Sequence, residues 1–188
     1  MKRPRIEGYA VISKEGMIAA ADGHFPEVLK IPADQEFYQS SLDRADVIAN
    51  GRHSAEGGPK ELSRRRIILT RRINLPTIDP GNPNAWQWNP GSTTFDEVWR
   101  HLRVDGGVLA VVGGTDVFGL FLAIGYDAFY LSRTDASVPR GRPVFPGVGT
   151  RGATPEEVMK KNGLALRGTR MLDEAANCRV EEWGPAKP

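Results

Sequence analysis

Four short stretches of this sequence bring together groups able to bind or act on a ligand. In VVGGTDVF (111–118) the pair Gly113-Gly114 lets backbone come close to a ligand. Thr115, Asp116 and Val117 then open a helix whose first N–H groups lack partners and whose dipole favours an anion. The pattern is not the G-x-G-x-x-G of a dinucleotide-binding crossover, and a glycine turn used only for tight packing also fits the spacing. In NGRHS (50–54) Gly51 gives freedom, while Arg52, His53 and Ser54 offer a cation, a switchable donor and a hydroxyl. They stand at a strand end, where open α/β sheets bind ligands, although a solvated turn has the same composition.

The third stretch is RRRIILTRR (64–72), in which Thr70, Arg71 and Arg72 follow a β-branched run. Arginine forks suit a phosphate monoester; the alternative is a charge run bracketing a strand. No aromatic residue interleaves these arginines, which disfavours a nucleic-acid surface. The fourth is IPAD (31–34), which places Asp34 in the first turn of a helix. The dipole holds it ionised there unless Ile31 and Phe37 raise its pKa, and it is either a ligand-facing carboxylate or an N-cap. His24, His53 and His101 lack metal-ligand spacing, so no metal is expected. Neither a G-x-S-x-G elbow nor a Cys–His pairing points to covalent catalysis.

These groups need elements to position them. Residues 6–12 read as a central strand, followed by the turn SKEG and a short extended MIAA. Residues 22–32 read as a loop, and 33–42 as a helix with Pro32 at its start. Short β-branched runs at 45–50 and 66–70 have the character of buried parallel strands. Trp86 and Trp88 share one face of a short strand as packing residues, and Thr94 with Glu97 forms a capping box for a helix through Leu102. Residues 108–112, 115–123 and 126–132 read as a strand-helix-strand crossover, which implies a parallel sheet. A capped helical or loop segment follows over 153–163, with Pro155 in its first turn and Gly163 as its C-cap. The runs 164–171 and 178–183 close the chain as an antiparallel hairpin at the sheet edge. The sum is a three-layer α/β domain of about eight strands with flanking helices, spanning 1–188.

Composition narrows the classes. A length of 188 residues suits one domain with a real core, and 40% apolar with 26% charged residues excludes a disordered tail. The net charge of +2, with both signs interleaved, is far from that of a nucleic-acid wrapper. The single cysteine, Cys178, excludes a disulfide framework and fits a reducing compartment. No apolar run is long enough to cross a bilayer, so a cytoplasmic protein without a membrane partner is expected. The 21 glycines and 14 prolines, close to a fifth of the chain, indicate many turns rather than a helical bundle.

Taken together and in order, GYAVIS, SKEGMIA, IPADQEF, RADVIANGRHS, RIILTRR, VVGGTDVF and YLSRTDASVPRGRPVFP resemble the dihydrofolate reductase superfamily. Within it they are most similar to the reductase domain of the bifunctional riboflavin-pathway deaminase-reductase, whose S-x-D-G-x-I-A turn SKEGMIA resembles. The resemblance covers nearly the whole chain. It implies a dihydrofolate-reductase-like fold with a mixed, mostly parallel sheet, and NADPH as cofactor.

By that resemblance Gly51, Arg52, His53 and Ser54 hold the pyrophosphate and 2′-phosphate side, and Thr70, Arg71 and Arg72 the adenosine side. Gly113, Gly114, Thr115, Asp116 and Val117 meet the pyrophosphate through backbone N–H groups, with a cis peptide at the glycine pair, and Ile18 and Ala19 lie by the nicotinamide. Asp34 stands where an acidic residue of dihydrofolate reductases binds the pterin ring. The loop between Ile18 and Asp34 lacks the tryptophan usual in dihydrofolate reductases, and Val112 replaces the acidic residue usual before Gly-Gly in the riboflavin type. The activity implied is an NADPH-dependent reductase acting on a ribosylated aminopyrimidine or a pteridine, as a homodimer. Dihydrofolate reductase proper and a non-catalytic nucleotide-binding protein of the same fold are the alternatives. No H-x-E or P-C-x-x-C pattern of a deaminase occurs.

Overall fold

The computed structural model describes residues 2–54, 58–149 and 152–186. In chain order the elements are β1 (Arg5–Ile12), β2 (Met17–Ala19), α1 (Pro32–Arg44), β3 (Val47–Gly51), β4 (Arg66–Leu69), β5 (Thr77–Asp79) and β6 (Asn82–Trp88). They continue with α2 (Phe95–Leu102), β7 (Val108–Val111), α3 (Thr115–Ile124), β8 (Ala128–Arg133), β9 (Arg142–Pro143), α4 (Pro155–Lys161), β10 (Leu164–Asp173) and β11 (Cys178–Pro185). Nine strands form one sheet in the order β10-β11-β8-β1-β7-β3-β4-β6-β5, and β2 pairs with β9 in a second, two-stranded sheet. The six strands from β8 to β6 run parallel, while β5, β10 and β11 add antiparallel pairings at the two ends.

Strand alternation divides the apolar residues between two faces. On one face Ile6, Val47, Ala49, Ile67, Leu109 and Val111 pack with α2 and α3 through Trp99, Phe118 and Phe121. On the other, Tyr9, Ile48 and Ala110 pack with α1 through Phe37, Tyr38 and Leu42. Helices on both faces make the expected three layers. The capping box at Thr94 forms as its spacing predicts, with Thr94 Oγ1 accepting from Glu97 N–H and Glu97 accepting from Thr94 N–H. Trp88 is buried against Phe95 and Phe121, and Trp86 stacks on the His101 ring at 4.5 Å.

The main sheet has nine strands, close to the expected eight, because 73–93 supplies β5 as well as a seven-residue β6. The terminal antiparallel hairpin stands at the sheet edge as expected, with β11 between β10 and β8 and β10 outermost. β11 has buried residues on both faces, with Val180 and Glu181 and again Trp183 and Gly184 buried side by side, as suits a strand inside the sheet, whereas β10 is exposed along most of its length.

Gly8 marks the tightest point of the core. A Cβ there would lie 2.3 Å from the Phe129 ring and 2.9 Å from that of Tyr126. Gly8→Ala is expected to destabilise the protein by about 1–3 kcal/mol through overpacking. At roughly 2–4 °C per kcal/mol for a chain of this size, the loss is readable in a thermal melt. An unchanged melting temperature would contradict this packing.

Candidate functional site

Adjacent parallel strands β1 and β7 send their connections in opposite directions. The chain leaves β1 for β3 by way of α1 on one face, and leaves β7 for β8 by way of α3 on the other. Right-handed crossovers running opposite ways open a crevice at the carboxyl ends of the two strands, the place where open α/β sheets bind ligands. A cleft of about 950 Å³ lies there. Its wall includes Ile18, Ala19, Asp34, Gly51, Arg52, His53, Ser54 and the whole run from Val112 to Phe118.

At the β3 and β7 side the backbone itself forms the wall. The Gly113-Gly114 peptide is cis, and Gly113 has φ +112°, a conformation suited to glycine, with the Phe118 ring 3.2 Å from where a Cβ would stand. Gly51 N–H donates to Gly113 O at 2.8 Å, locking the end of β3 to the glycine pair. The first helical bond of α3 runs from Phe118 N–H to Gly114 O. The N–H groups of Thr115, Asp116 and Val117 therefore precede any intrahelical partner, and these residues line the cleft. Gly51 also begins a tight turn, closed by Ser54 N–H donating to Gly51 O at 2.9 Å, which carries Arg52, His53 and Ser54. Arg52 Nε donates to His53 Nε2 at 3.1 Å. A Cβ on Gly114 would come 3.1 Å from Ser54 Oγ, so little room separates the turn from the helix start.

At the β1 and β8 side the wall is a carboxyl group among aromatic rings. The N-cap of α1 is Ile31 and makes no side-chain cap bond, so Asp34 is the third helical residue and not a cap. Its side chain is turned inward and only 7% exposed. Burial pushes its pKa up, and a hydrogen bond from the Ser132 hydroxyl partly opposes that rise. Tyr9 and Tyr130 stack with ring centroids 5.1 Å apart, and Phe37 meets Tyr130 edge-on at 5.8 Å. All three rings line the cleft. Cys178, behind them, is buried, and burial together with Asp34 and Asp173 pushes its thiol up to about 12, so it stays protonated.

The remaining wall is the β2–β9 pair. Glu15, in the turn before β2, accepts from Ser13 Oγ at 2.7 Å, Ser137 Oγ at 2.6 Å and Val138 N–H at 2.9 Å. Burial acts to raise its carboxyl, but these bonds outweigh it and hold the pKa at about 2. This charged clasp joins the turn before β2 to the segment before β9, and the β2–β9 pair carries Ile18, Ala19 and Arg142. Arg142 Nε donates to Ala21 O at 3.3 Å, and Thr115 Oγ1 donates to Pro143 O, tying the wall to the start of α3.

The structure thus gathers Ile18, Ala19, Asp34, the turn 51–54 and residues 113–117 around one cleft. Thr70, Arg71 and Arg72 stand apart from its wall. Thr70 is buried, its hydroxyl accepting from Arg72 N–H, while exposed Arg71 reaches the rim by pairing with Asp116 at 3.4 Å. The sequence reading missed Tyr9, Phe37, Tyr130, Ser132 and Arg142 as wall residues. Alternation along AFYLSR could have placed Tyr130 and Ser132 together. No local signal marks Arg142, because its position depends on the long-range pairing of β2 with β9.

No family model matches the chain, and no curated protein matches it. Solved structures do. A dihydrofolate reductase from Enterococcus faecalis, complexed with NADP(H) and RAB-propyl, superposes with a TM-score of 0.67 at 16% identity over 99% of each chain. The chain has the dihydrofolate reductase fold. A diaminohydroxyphosphoribosylaminopyrimidine deaminase/5-amino-6-(5-phosphoribosylamino)uracil reductase from Thermotoga maritima superposes at 0.64 with 17% identity, over 98% of this chain and 57% of that one. In this fold the crevice between β1 and β7 holds the cleft described above. Among those residues no helix is long and apolar enough to cross a membrane.

The Asp34 environment predicts a pH-dependent stability. Its folded pKa lies above the unfolded value near 3.8, so the folded state binds the proton more tightly. The associated stability is present below that value and is lost as pH rises through the raised folded pKa. Asp34→Asn is therefore expected to melt higher than wild type at pH 7, with the difference shrinking as pH falls towards 4. A difference that does not vary with pH would contradict a buried, charge-destabilised carboxyl.

Proposed function

We propose that the protein is an NADPH-dependent reductase acting on a nitrogen heterocycle, in the manner of the riboflavin-type pyrimidine reductases. The observation that carries this reading is the sharing of one cleft by two unlike ends: a cradle of backbone N–H groups, and a buried carboxyl flanked by aromatic rings. The residues fit the cofactor. Gly51 and Gly114 leave room for close backbone approach, the N–H groups of 115–117 suit a pyrophosphate, and Arg52 offers a fork for a 2′-phosphate. Bound there, the cofactor would supply a hydride. Arg71 and Arg72, beyond the rim, would face the adenosine end as it leaves the cleft.

The protein's own residues do the rest. Asp34 would hold the heterocycle through its ring N–H and exocyclic amino group, and Ser132 orients the carboxyl. Tyr9, Phe37 and Tyr130 supply flat apolar contact, while the β2–β9 wall excludes water. Burial raises the Asp34 pKa, which suits a carboxyl group that exchanges a proton beside the reacting ring. The substrate we favour is a ribosylated aminopyrimidine or a pteridine of riboflavin or related biosynthesis. The SKEGMIA turn and the absence of tryptophan from the loop 20–31 support the riboflavin type over dihydrofolate reduction. We further propose a homodimer, with self-pairing as the cover for the β10 edge. A single species near 20 kDa by sedimentation would contradict that assembly.

NADPH is expected to bind at least about tenfold more tightly than NADH, since one charge-assisted bond to the 2′-phosphate contributes roughly 1.5–3 kcal/mol. Titration calorimetry with both cofactors checks this, and equal affinities would overturn it. Asp34→Asn should lower turnover of a reducible aminopyrimidine or pteridine by about a hundredfold or more, the scale of lost general acid catalysis, with NADPH affinity unchanged. Normal turnover in that variant would remove Asp34 from the mechanism. Ser132→Ala removes the bond that opposes burial, so the pH–rate profile should shift to higher pH; an unmoved profile would uncouple Ser132 from the site.

A further inference from the structure

One arginine of the 64–72 run is neither solvated nor in the cleft. Arg66, on β4, is 2% exposed, and a fully buried guanidinium is rare unless it is paired and hydrogen-bonded. Register places Ile48 opposite Arg66, which makes Asn50 its diagonal neighbour on the α1 face of the sheet. Arg66 Nη1 donates to Asn50 Oδ1 at 2.8 Å, and Nη2 donates to Glu61 O at 3.1 Å. A guanidinium only donates, so the Asn50 carbonyl must face Arg66 and its amide nitrogen must face away. That nitrogen donates to Gly51 O at 2.9 Å. The same carbonyl accepts Ser54 N–H, closing the turn 51–54, while Gly51 N–H reaches Gly113 O at 2.8 Å.

We infer that Arg66 and Asn50 are positioning residues for the nucleotide cradle: a buried chain of hydrogen bonds, Arg66 to Asn50 to Gly51, fixes the peptide planes of the turn 51–54 and through Gly51 N–H holds that turn against Gly113. This deepens the proposed function, on which its link to NADPH rests. Both side chains lie under the turn and neither lines the cleft. A buried polar pair of this kind is weak evidence for stability, since well-packed apolar residues of similar volume often replace such pairs without loss. Its use here is geometric. Asn50 adds a second donor to a carbonyl that would otherwise be held by the turn alone, and Arg66 fixes which way Asn50 is turned.

The test uses the full chain with two variants and two readouts. The double variant Arg66→Met/Asn50→Leu fills the space with apolar atoms; Asn50→Asp keeps an oxygen towards Arg66 but cannot donate to Gly51 O. In the cofactor-free protein, well below its melting temperature, amide hydrogen exchange at Gly51 and Ser54 should rise about tenfold or more in both variants, as the loss of one supporting hydrogen bond implies. NADPH affinity should fall by a similar factor in the double variant, with the KM for the heterocycle unchanged. Arg66→Lys, which keeps a donor for Asn50 Oδ1, should recover most of both effects.

Wild-type exchange at Gly51 and Ser54 in Asn50→Asp would overturn the proposal, and so would wild-type exchange in a folded double variant. Should the double variant not fold, Asn50→Asp decides alone by exchange, which charge repulsion with a phosphate does not enter. A wild-type protein that binds no NADPH would defeat the proposed function, and the exchange readout would still decide the positioning role.

Discussion

Parallel β3 and β7 end side by side, and at their carboxyl ends the backbone of one strand must be fastened to that of the other before any ligand surface exists. The fastening is the bond from Gly51 N–H to Gly113 O at 2.8 Å. It holds the turn 51–54 against the start of α3, so that Arg52, His53 and Ser54 face the same space as the unpartnered N–H groups of 115–117. Gly113 at φ +112° and the narrow gap between Gly114 and Ser54 follow from how closely the two segments approach. Side chains of ordinary size at these positions would separate the segments.

The other end of the cleft depends on a different constraint, the alternation of β8 beneath α1. Tyr130 and Ser132 project to the α1 face while Phe129 and Leu131 enter the opposite core, so one strand supplies both an aromatic wall and a hydroxyl for Asp34. The first turn of α1 carries Asp34 over that strand because Pro32 begins the helix and Ile31 takes the N-cap position. A carboxyl placed there loses stability to desolvation, a cost typical of groups kept for their chemistry. Glu15 shows the opposite case: three hydrogen bonds outweigh its desolvation, and the ionised group serves as a structural clasp.

Legibility in the sequence follows the range of the interactions. The crossover β7-α3-β8 was readable because its apolar strands, glycine pair and helix start are local signals, and the capping box forms at Thr94 as expected, with a second at Thr154 that the reading did not name. Strand β5 escaped because it is short and mostly exposed, while β6 was legible only as a short strand around Trp86 and Trp88 because Pro83 interrupts the pattern at its start. Asp34 was visible from its place in IPAD, in the first turn of a helix, where a ligand-facing carboxylate and an N-cap both fitted, and the resemblance favoured the former. Its burial beside Ser132 depends on residues about a hundred positions apart in the chain. Arg66 was hidden within a run of like charges that composition reads as solvated, and only the diagonal contact with Asn50 separates it from its exposed neighbours. Arg142 came into view only when β9 paired with β2.

The central claim is that one cleft takes a dinucleotide at its glycine cradle and a heterocycle at Asp34. A crystal structure of the protein grown with NADPH tests it most directly. The account predicts pyrophosphate density against the N–H groups of Thr115–Val117, with the 2′-phosphate on the Arg52 side and the nicotinamide beside Ile18 and Ala19. Density for the cofactor anywhere outside this cleft, or an empty cradle in crystals saturated with NADPH, would contradict it.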